Sequence, residues 1–330
     1  MSDVDRSALA ARLSAARGVD VAVDTVTPLS GGASSATFAV AARLGDRPWP
    51  LIFQRSAAAP EPGQLSKATQ AALQRIAGGH GLPVAEVIAV TEPGDGLGDG
   101  FVMARVDGEA LAPRWLKAER FAAARAVLTG QCAAALARLH AVPLSEVAHL
   151  PLAAGSPREQ GRQMFDLYRS YAVDLPAFDL AFRWADERLH DRSATVLVHG
   201  DFRSGNFIID DTGLAAVLDW ELAHLGDLAE DLGWLCVNAW RFGHWQRPVG
   251  GFGERDALYD AYAAAGGTAV DRADAQLWEV FGTLRWGMAC LQLAHDHLSG
   301  RVRSVERAAI GRRVTEVEAD LLHLLKYGSV

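Results

Sequence analysis

His199-Gly200-Asp201-Phe202-Arg203-Ser204-Gly205-Asn206 runs on into Phe207-Ile208-Ile209 and, after a turn, into Leu218-Asp219-Trp220-Glu221. The reading of the whole chain turns on this stretch. Val196-Leu197-Val198 is a short apolar run leading into it. Phe207-Ile208-Ile209 and Leu214-Ala215-Ala216-Val217-Leu218 have strand character, and Asp210-Asp211-Thr212-Gly213 between them is a turn signal. The two runs are therefore expected to pair as an antiparallel hairpin. Residues just outside a hairpin's open end face one another, roughly 4.5–5.5 Å apart. Here they are expected to be Asn206 and Asp219. Amide and carboxylate oxygens suit Mg²⁺, with phosphate oxygens and water completing an octahedron. Asp201, one loop earlier on the same side, is placed to take a proton from an attacking hydroxyl. That is a phosphoryl-transfer layout, in which a protein mainly positions groups and neutralises charge. The bland alternative is a surface loop whose Asp and Asn cap turns. Asn206 and Asn238 are the only asparagines in the chain, which weighs against coincidence.

Upstream, residues 4–17 read as a short amphipathic helix. Residues 21–23 and 36–43 read as strands flanking Leu29-Ser30-Gly31-Gly32-Ala33-Ser34-Ser35. A third strand is expected over 49–55, a helix over 64–78, and two more strands over 84–90 and 101–106, separated by the glycine-rich turn 93–100. After Asp107-Gly108 the character changes. Ala/Leu/Arg helices are expected over 115–140, 160–171 and 178–191, then the hairpin, then helices over 228–239, 255–265, 273–298 and 302–327. The division falls between residues 1–106 and 107–330.

With 330 residues, 50% of them hydrophobic, the chain can bury a large core as one large domain or two lobes. A net charge of −8 argues against a nucleic-acid partner. Cys132, Cys236 and Cys290 lie far apart in apolar helical context and read as buried reduced thiols. No run approaches the roughly 18 apolar residues of a membrane span, and the start Ser2-Asp3-Val4-Asp5-Arg6 is polar, so the expectation is a cytoplasmic protein without a membrane partner. The apolar helix over 277–298 suits a homodimer face as readily as a core.

His199-Gly200-Asp201, Asn206 and Asp219-Trp220-Glu221 together resemble the aminoglycoside phosphotransferase and choline-kinase-like superfamily, relatives of the protein kinases. The resemblance is sharp from Val196 to Trp234 and is nearest to the kinase domains associated with acyl-CoA dehydrogenases. It implies an α+β, protein-kinase-like two-lobe fold, with an antiparallel N-lobe sheet plus helix and a mainly helical C-lobe. It further implies an ATP- and Mg²⁺-dependent O-phosphotransferase acting on a small-molecule hydroxyl, with Asp201 catalytic and Asn206 and Asp219 on the metal. Gly31, Gly32, Ser34 and Ser35 would cover the phosphates, where small residues let backbone N–H groups approach. Adenine would pair with backbone around Met103, Ala104 and Arg105. His199 supports the catalytic loop or acts as a second base. Asp227 and Asp231 would tie that loop to the following helix, and His140 would complement a helix dipole. Glu221 would meet metal water, substrate or neither.

Two departures stand out. The third strand should carry a Lys or Arg for the α- and β-phosphates. Gln54 occupies the expected position, and Arg55 beside it points to the other face unless a bulge intervenes. The partner Glu on the next helix is replaced by Thr69 or Gln70. A nucleotide-binding module that has lost catalysis is therefore the competing reading. For the acceptor, Trp240, Arg241, His244, Arg247 and Arg285 make a basic-aromatic wall unsuited to polycationic aminoglycosides. It suits an anionic or acyl-CoA-type alcohol, unless the aromatics are core and the arginines snorkel.

Overall fold

The structure is a computed structural model, and it describes residues 4–29, 35–57, 64–92, 94–191 and 196–328. Helix α1 (Arg6–Arg17) starts where Asp5 accepts the N–H groups of Ser7 and Ala8, and it ends at Gly18 in the left-handed conformation. Strands β1 (Val21–Pro28), β2 (Ser35–Leu44) and β3 (Arg47–Ser56) form an antiparallel meander. Helix α2 (Lys67–Gly79) follows, capped by Ser66. Strands β4 (Val87–Val90) and β5 (Gly100–Ala104) complete a five-stranded sheet in the order β1-β2-β3-β5-β4.

Strand alternation gives that sheet two faces. Leu51, Phe53, Phe38, Val40 and Val102 pack with Leu9 and Leu13 of α1 on one side. Ala71 of α2 packs with Ala85, Val87, Phe101 and Met103 on the other. The chain then crosses to the helical part at Gly108, whose φ is +147°. A Cβ there would sit 2.5 Å from Ile208 and 2.8 Å from the Ile209 carbonyl, so glycine lets the crossing segment lie against the motif hairpin.

The second lobe is mostly helical, running through α3 (Ala112–Trp115), α4 (Ala122–His140), α5 (Leu144–Val147), α6 (Pro157–Ser170) and α7 (Pro176–Asp186). Then come β6 (Val196–Val198), β7 (Phe207–Asp210), β8 (Gly213–Val217) and β9 (His224–Gly226). The chain ends with α8 (Leu228–Cys236), α9 (Arg255–Ala264), α10 (Arg272–Leu298), α11 (Val305–Gly311) and α12 (Val314–Tyr327). Helix α4 is the axis of the main core, carrying buried Leu128, Cys132, Leu136 and Leu139. Helix α10 is covered by α7, α8, α11 and α12.

The α+β class, with an antiparallel sheet in the first lobe and helices in the second, agrees with expectation. Two expected helices are broken. The segment before α4 turns at 116–118, where the Arg125 guanidinium holds the carbonyls of Trp115 and Ala118. The last helix divides at 312–313, because Gly311 rests against Ala294 of α10 while α12 continues toward α7. Strand β9, which pairs with β6, was not anticipated. All three cysteines are free and buried, as expected. Among the described residues no helix is long and apolar enough to cross a membrane.

Candidate active site

The β7–β8 hairpin forms with Asp210 accepting the N–H groups of Thr212 and Gly213 at the turn. Its register corrects the expected facing pair. A bulge shifts the pairing between Ile208 and Ile209, and Leu218, not Asp219, lies opposite Asn206, donating its N–H to the Asn206 carbonyl at 2.8 Å. Asp219 comes one residue later with φ +67°, a left-handed conformation that is costly for a residue with a Cβ. That twist brings its side chain back, and Asn206 and Asp219 both line one cavity of about 450 Å³.

Asp201 is buried and fully engaged. One carboxylate oxygen accepts Arg203 Nε at 2.9 Å and Trp234 Nε1 at 2.8 Å. The other accepts Asn206 Nδ2 at 2.6 Å. Asn206 Nδ2 also donates to the Asp201 carbonyl, so its amide oxygen is the atom it has left to offer a cation. The loop itself is held from behind. Asp231 accepts the backbone N–H groups of His199 at 2.8 Å and Gly200 at 3.0 Å, and it also meets His140 Nε2 at 3.4 Å. Burial would raise the Asp231 pKa, but the His140 hydrogen bond and the His199 N–H hold it below the usual carboxylate range. Gly200 has φ +77°, and a Cβ there would lie 2.3 Å from the Leu222 carbonyl. That contact explains why the arginine of the protein-kinase pattern has no room at this position.

His199 is fully buried between Trp220, with ring centroids 4.6 Å apart, and Phe202. Its Nδ1 accepts the Asp201 N–H and burial pushes its pKa down, so the buried ring packs behind the loop with one nitrogen already engaged. Asp227 caps α8 through Ala229 N–H and approaches His190 at 3.4 Å; it anchors the helix without touching the loop. His140 does more than complement a dipole: buried at the end of α4, it joins Asp231 to the Tyr262 hydroxyl.

Asp219 is in a different electrostatic state. Burial, then the charges of Glu221 and Asp201, push its pKa up to about 7, against the pull of Lys67 and Arg203. Such a cluster of incompletely neutralised acid is what a divalent cation would relieve. Among the described residues no three His, Cys, Asp or Glu side chains gather closely enough to cage a metal. The donor set fits an ion held by Asn206 and Asp219 and completed by phosphate oxygens and water, the usual arrangement for Mg²⁺.

The remaining wall of the cavity is apolar above and below, with Ala39, Ile52 and Ala85 facing Ile208 and Leu218. Met103, Ala104 and Arg105 border it as expected, but Ala104 N–H is bonded to the Glu86 carbonyl and Arg105 N–H to that of Pro50. Those two donors therefore serve the sheet. Gly31, Gly32 and Ser34 lie outside the described residues. Ser35 opens β2, and its hydroxyl accepts Lys67 Nζ at 2.7 Å. Gln54 lines the cavity, whereas Arg55 lies over the Phe38 ring on the opposite face, 5.2 Å from its centroid, with the β2–β3 register unbroken. No bulge turns Arg55 inward, so it does not face the cavity.

The expected acceptor wall is also revised. Arg241 is fully buried, pairs with Glu279 at 3.1 Å and donates to the Cys236 carbonyl, which makes it a core residue. Arg247 is at the surface beside Glu254. His244 lies near Lys117 and Arg125, and burial with those charges lowers its pKa. Trp240 and Arg285 each stand one contact away from Asp201, through Arg203 and Trp234. Arg203 stacks over Trp240 at 4.4 Å and Arg285 over Trp234 at 4.6 Å, with the two indole rings 5.0 Å apart. Sequence reasoning missed Arg203, Trp234 and Lys67. Arg203 lay inside the quoted motif, but the contacts of Trp234 with Asp201 and of Lys67 with Ser35 join residues far apart in the chain and leave no local signal.

Residues 25–277 match the model of the phosphotransferase enzyme family, and the chain belongs to that family. A segment of 65 residues is 40% identical to acyl-CoA dehydrogenase family member 10 of Mus musculus; it spans 19% of this chain and 6% of the mouse protein's length. The fold is similar to that of a candidate aminoglycoside phosphotransferase from Ralstonia eutropha, at TM-score 0.75 and 17% identity over 96% of each chain. It is also similar to spectinomycin phosphotransferase solved with ADP and spectinomycin, at TM-score 0.66 and 15% identity over 98% of this chain and 100% of that one. A choline/ethanolamine kinase family protein from Mesorhizobium loti aligns at TM-score 0.63 and 19% identity, over 92% of this chain and 90% of that one.

Proposed function

We propose that this phosphotransferase-family chain transfers the γ-phosphoryl group of ATP, with Mg²⁺, to a hydroxyl of a small molecule. The observation that carries the reading is the convergence of the three motif side chains: Asn206 hydrogen-bonds Asp201 at 2.6 Å and shares a cavity wall with Asp219. In this reading residues 1–106 cover the nucleotide and residues 107–330 carry the base and the acceptor side. The purine lies between Ile52 and Leu218, where the cavity walls are apolar.

Asp201 orients the acceptor hydroxyl and takes its proton on the oxygen that Asn206 also contacts. Arg203 and Trp234 fix that carboxylate before any substrate arrives, which removes the cost of orienting it during reaction. Asn206 and Asp219 are the residues that would hold Mg²⁺, and the ion would supply charge neutralisation on the transferring phosphate. The acceptor approaches past Arg203–Trp240 and Arg285–Trp234, two cations stacked on aromatic faces, the first paired with Asp201 and the second 3.8 Å from Glu230. Such a border favours an anionic or acyl-bearing alcohol over a polycationic aminoglycoside. The test is ADP release measured across a panel of hydroxyl compounds, anionic, neutral and cationic, with Asp201→Asn as control. Acceptor-dependent turnover that Asp201→Asn abolishes is expected. Tight MgATP binding with no turnover on any acceptor would support the inactive-module reading instead.

A further inference from the structure

We propose that Lys67, from the first turn of α2, is the cation that grips the nucleotide phosphates in place of the lysine or arginine that β3 does not turn toward the cavity. The inference rests on the nucleotide reading above. Strand β3 supplies no such cation to the cavity: its inward residue is Gln54, and Arg55 points to the far face over Phe38. Lys67 is nevertheless only 2% exposed. Its ammonium donates to Ser35 Oγ at 2.7 Å and Gln70 Oε1 at 2.8 Å, both neutral acceptors, and an ammonium has a third hydrogen to give. Among the described residues no carboxylate lies within ion-pair distance of it.

A buried charge held by neutral dipoles is expensive, and replacing it with an apolar side chain usually costs nothing. Its retention therefore asks for a ligand. Burial lowers the Lys67 pKa, and the charges of Asp219, Glu221 and Asp99 work against it by favouring the ammonium form. Lys67 is held by Gln70, which lines the cavity with Gln54 and Gln74, and its charge interacts with the acidic pair Asp219 and Glu221 on the other side. A polyphosphate bridging the Mg²⁺ ligands to the sheet would pass beside it. Gln70 completes the logic. A carboxylate at that helical position would cancel the lysine's charge, whereas an amide orients the ammonium and leaves its charge for the ligand.

The competing explanation is a tether that only holds the start of β2 to α2. Calorimetric titration of wild type, Lys67→Met and Lys67→Arg with MgATP and with adenosine, alongside thermal melts, separates the two. Lys67→Met is expected to melt no lower than wild type and to lose about 30-fold or more in MgATP affinity, with adenosine affinity unchanged. Gln54→Lys added to Lys67→Met is expected to recover part of the loss by returning a cation to β3. Unchanged MgATP binding by Lys67→Met overturns the proposal, as does an equal loss for MgATP and adenosine together with a lower melting temperature. Lys67→Gln gives the same readout if the methionine variant does not fold. Wild type that binds neither ligand overturns the nucleotide reading as well, whereas wild-type binding that Lys67→Met leaves intact overturns only the role of Lys67.

Discussion

The loop that carries Asp201 is tied down before any ligand arrives, whereas the turn that carries Asp219 is strained and electrically incomplete. Asp201 receives Arg203, Trp234 and Asn206, and Asp231 anchors the backbone behind it. Asp219 sits at φ +67° beside Glu221 and Asp201, with its pKa raised to about 7. The contrast fits the two jobs proposed for these residues. A proton acceptor must be in place and correctly aimed, so its carboxylate is satisfied by fixed donors. A metal ligand must be completed by what it binds, so its charge is left for the cation to neutralise.

Replacing Asp219 by Asn breaks the comparison most directly. Turnover should fall by about a thousandfold or more, because the metal loses its charged protein ligand. The unliganded protein should melt no lower than wild type, since a group that resists ionisation in the fold is being removed. A clear drop in melting temperature at pH 8 would mean that Asp219 stabilises the fold, contrary to its raised pKa. Asp231→Ala should do the reverse. Unpairing the His199 and Gly200 amides and His140 should cost about 3–5 kcal/mol of stability, read by urea denaturation.

The two acids also predict opposite pH behaviour. Asp231 has a folded pKa below its unfolded value, so its stabilisation is complete above about pH 4 and is lost as pH falls through the lower folded value. Wild type should lose melting temperature in that acid range, and Asp231→Asn should show a flatter profile. Asp219 has a raised folded pKa, so its ionisation weakens the unliganded fold as pH rises from about 4 toward 7. Only the ionised form binds a cation well. The added stability from Mg²⁺ with ADP should therefore grow from pH 6 to pH 8, and Asp219→Asn should abolish that growth. Equal stabilisation at both pH values would remove the metal role from Asp219.

The parts of this site that were legible in the sequence are those set by short spacing. The hairpin and its turn depend on contacts a few residues apart, and alternation put Gln54 and Arg55 on opposite faces while the kinase pattern assigned the inward position to Gln54. What escaped depends on partners far along the chain. Lys67 meets Ser35 across the lobe, Trp234 reaches back to Asp201, and Arg241 is neutralised by Glu279 on α10. Nothing local distinguishes a guanidinium headed for a buried carboxylate from one on an acceptor wall. The facing of Asn206 and Asp219 failed by one register step, which the turn sets: the tight turn pairs Asp210 with Gly213, and even after the bulge at Ile208–Ile209 the residue opposite Asn206 is Leu218.

The smallest predicted effect tests how tightly the Asp201 side of the comparison is drawn. Trp234→Phe keeps an aromatic ring at a buried position while removing the indole N–H that bonds Asp201 at 2.8 Å. Arg203 still holds the same oxygen at 2.9 Å, so the carboxylate keeps one of the two donors there and its orientation should loosen, not collapse. A single charge-assisted hydrogen bond of this kind is worth about 1.5–3 kcal/mol, part of which Arg203 and water recover. The expected result is a kcat about tenfold lower, with acceptor KM and melting temperature little changed. A larger rise in KM than fall in kcat would mean that Trp234 acts through the acceptor border beneath Arg285. In that case the orientation of Asp201 would rest on Arg203 and Asn206 alone.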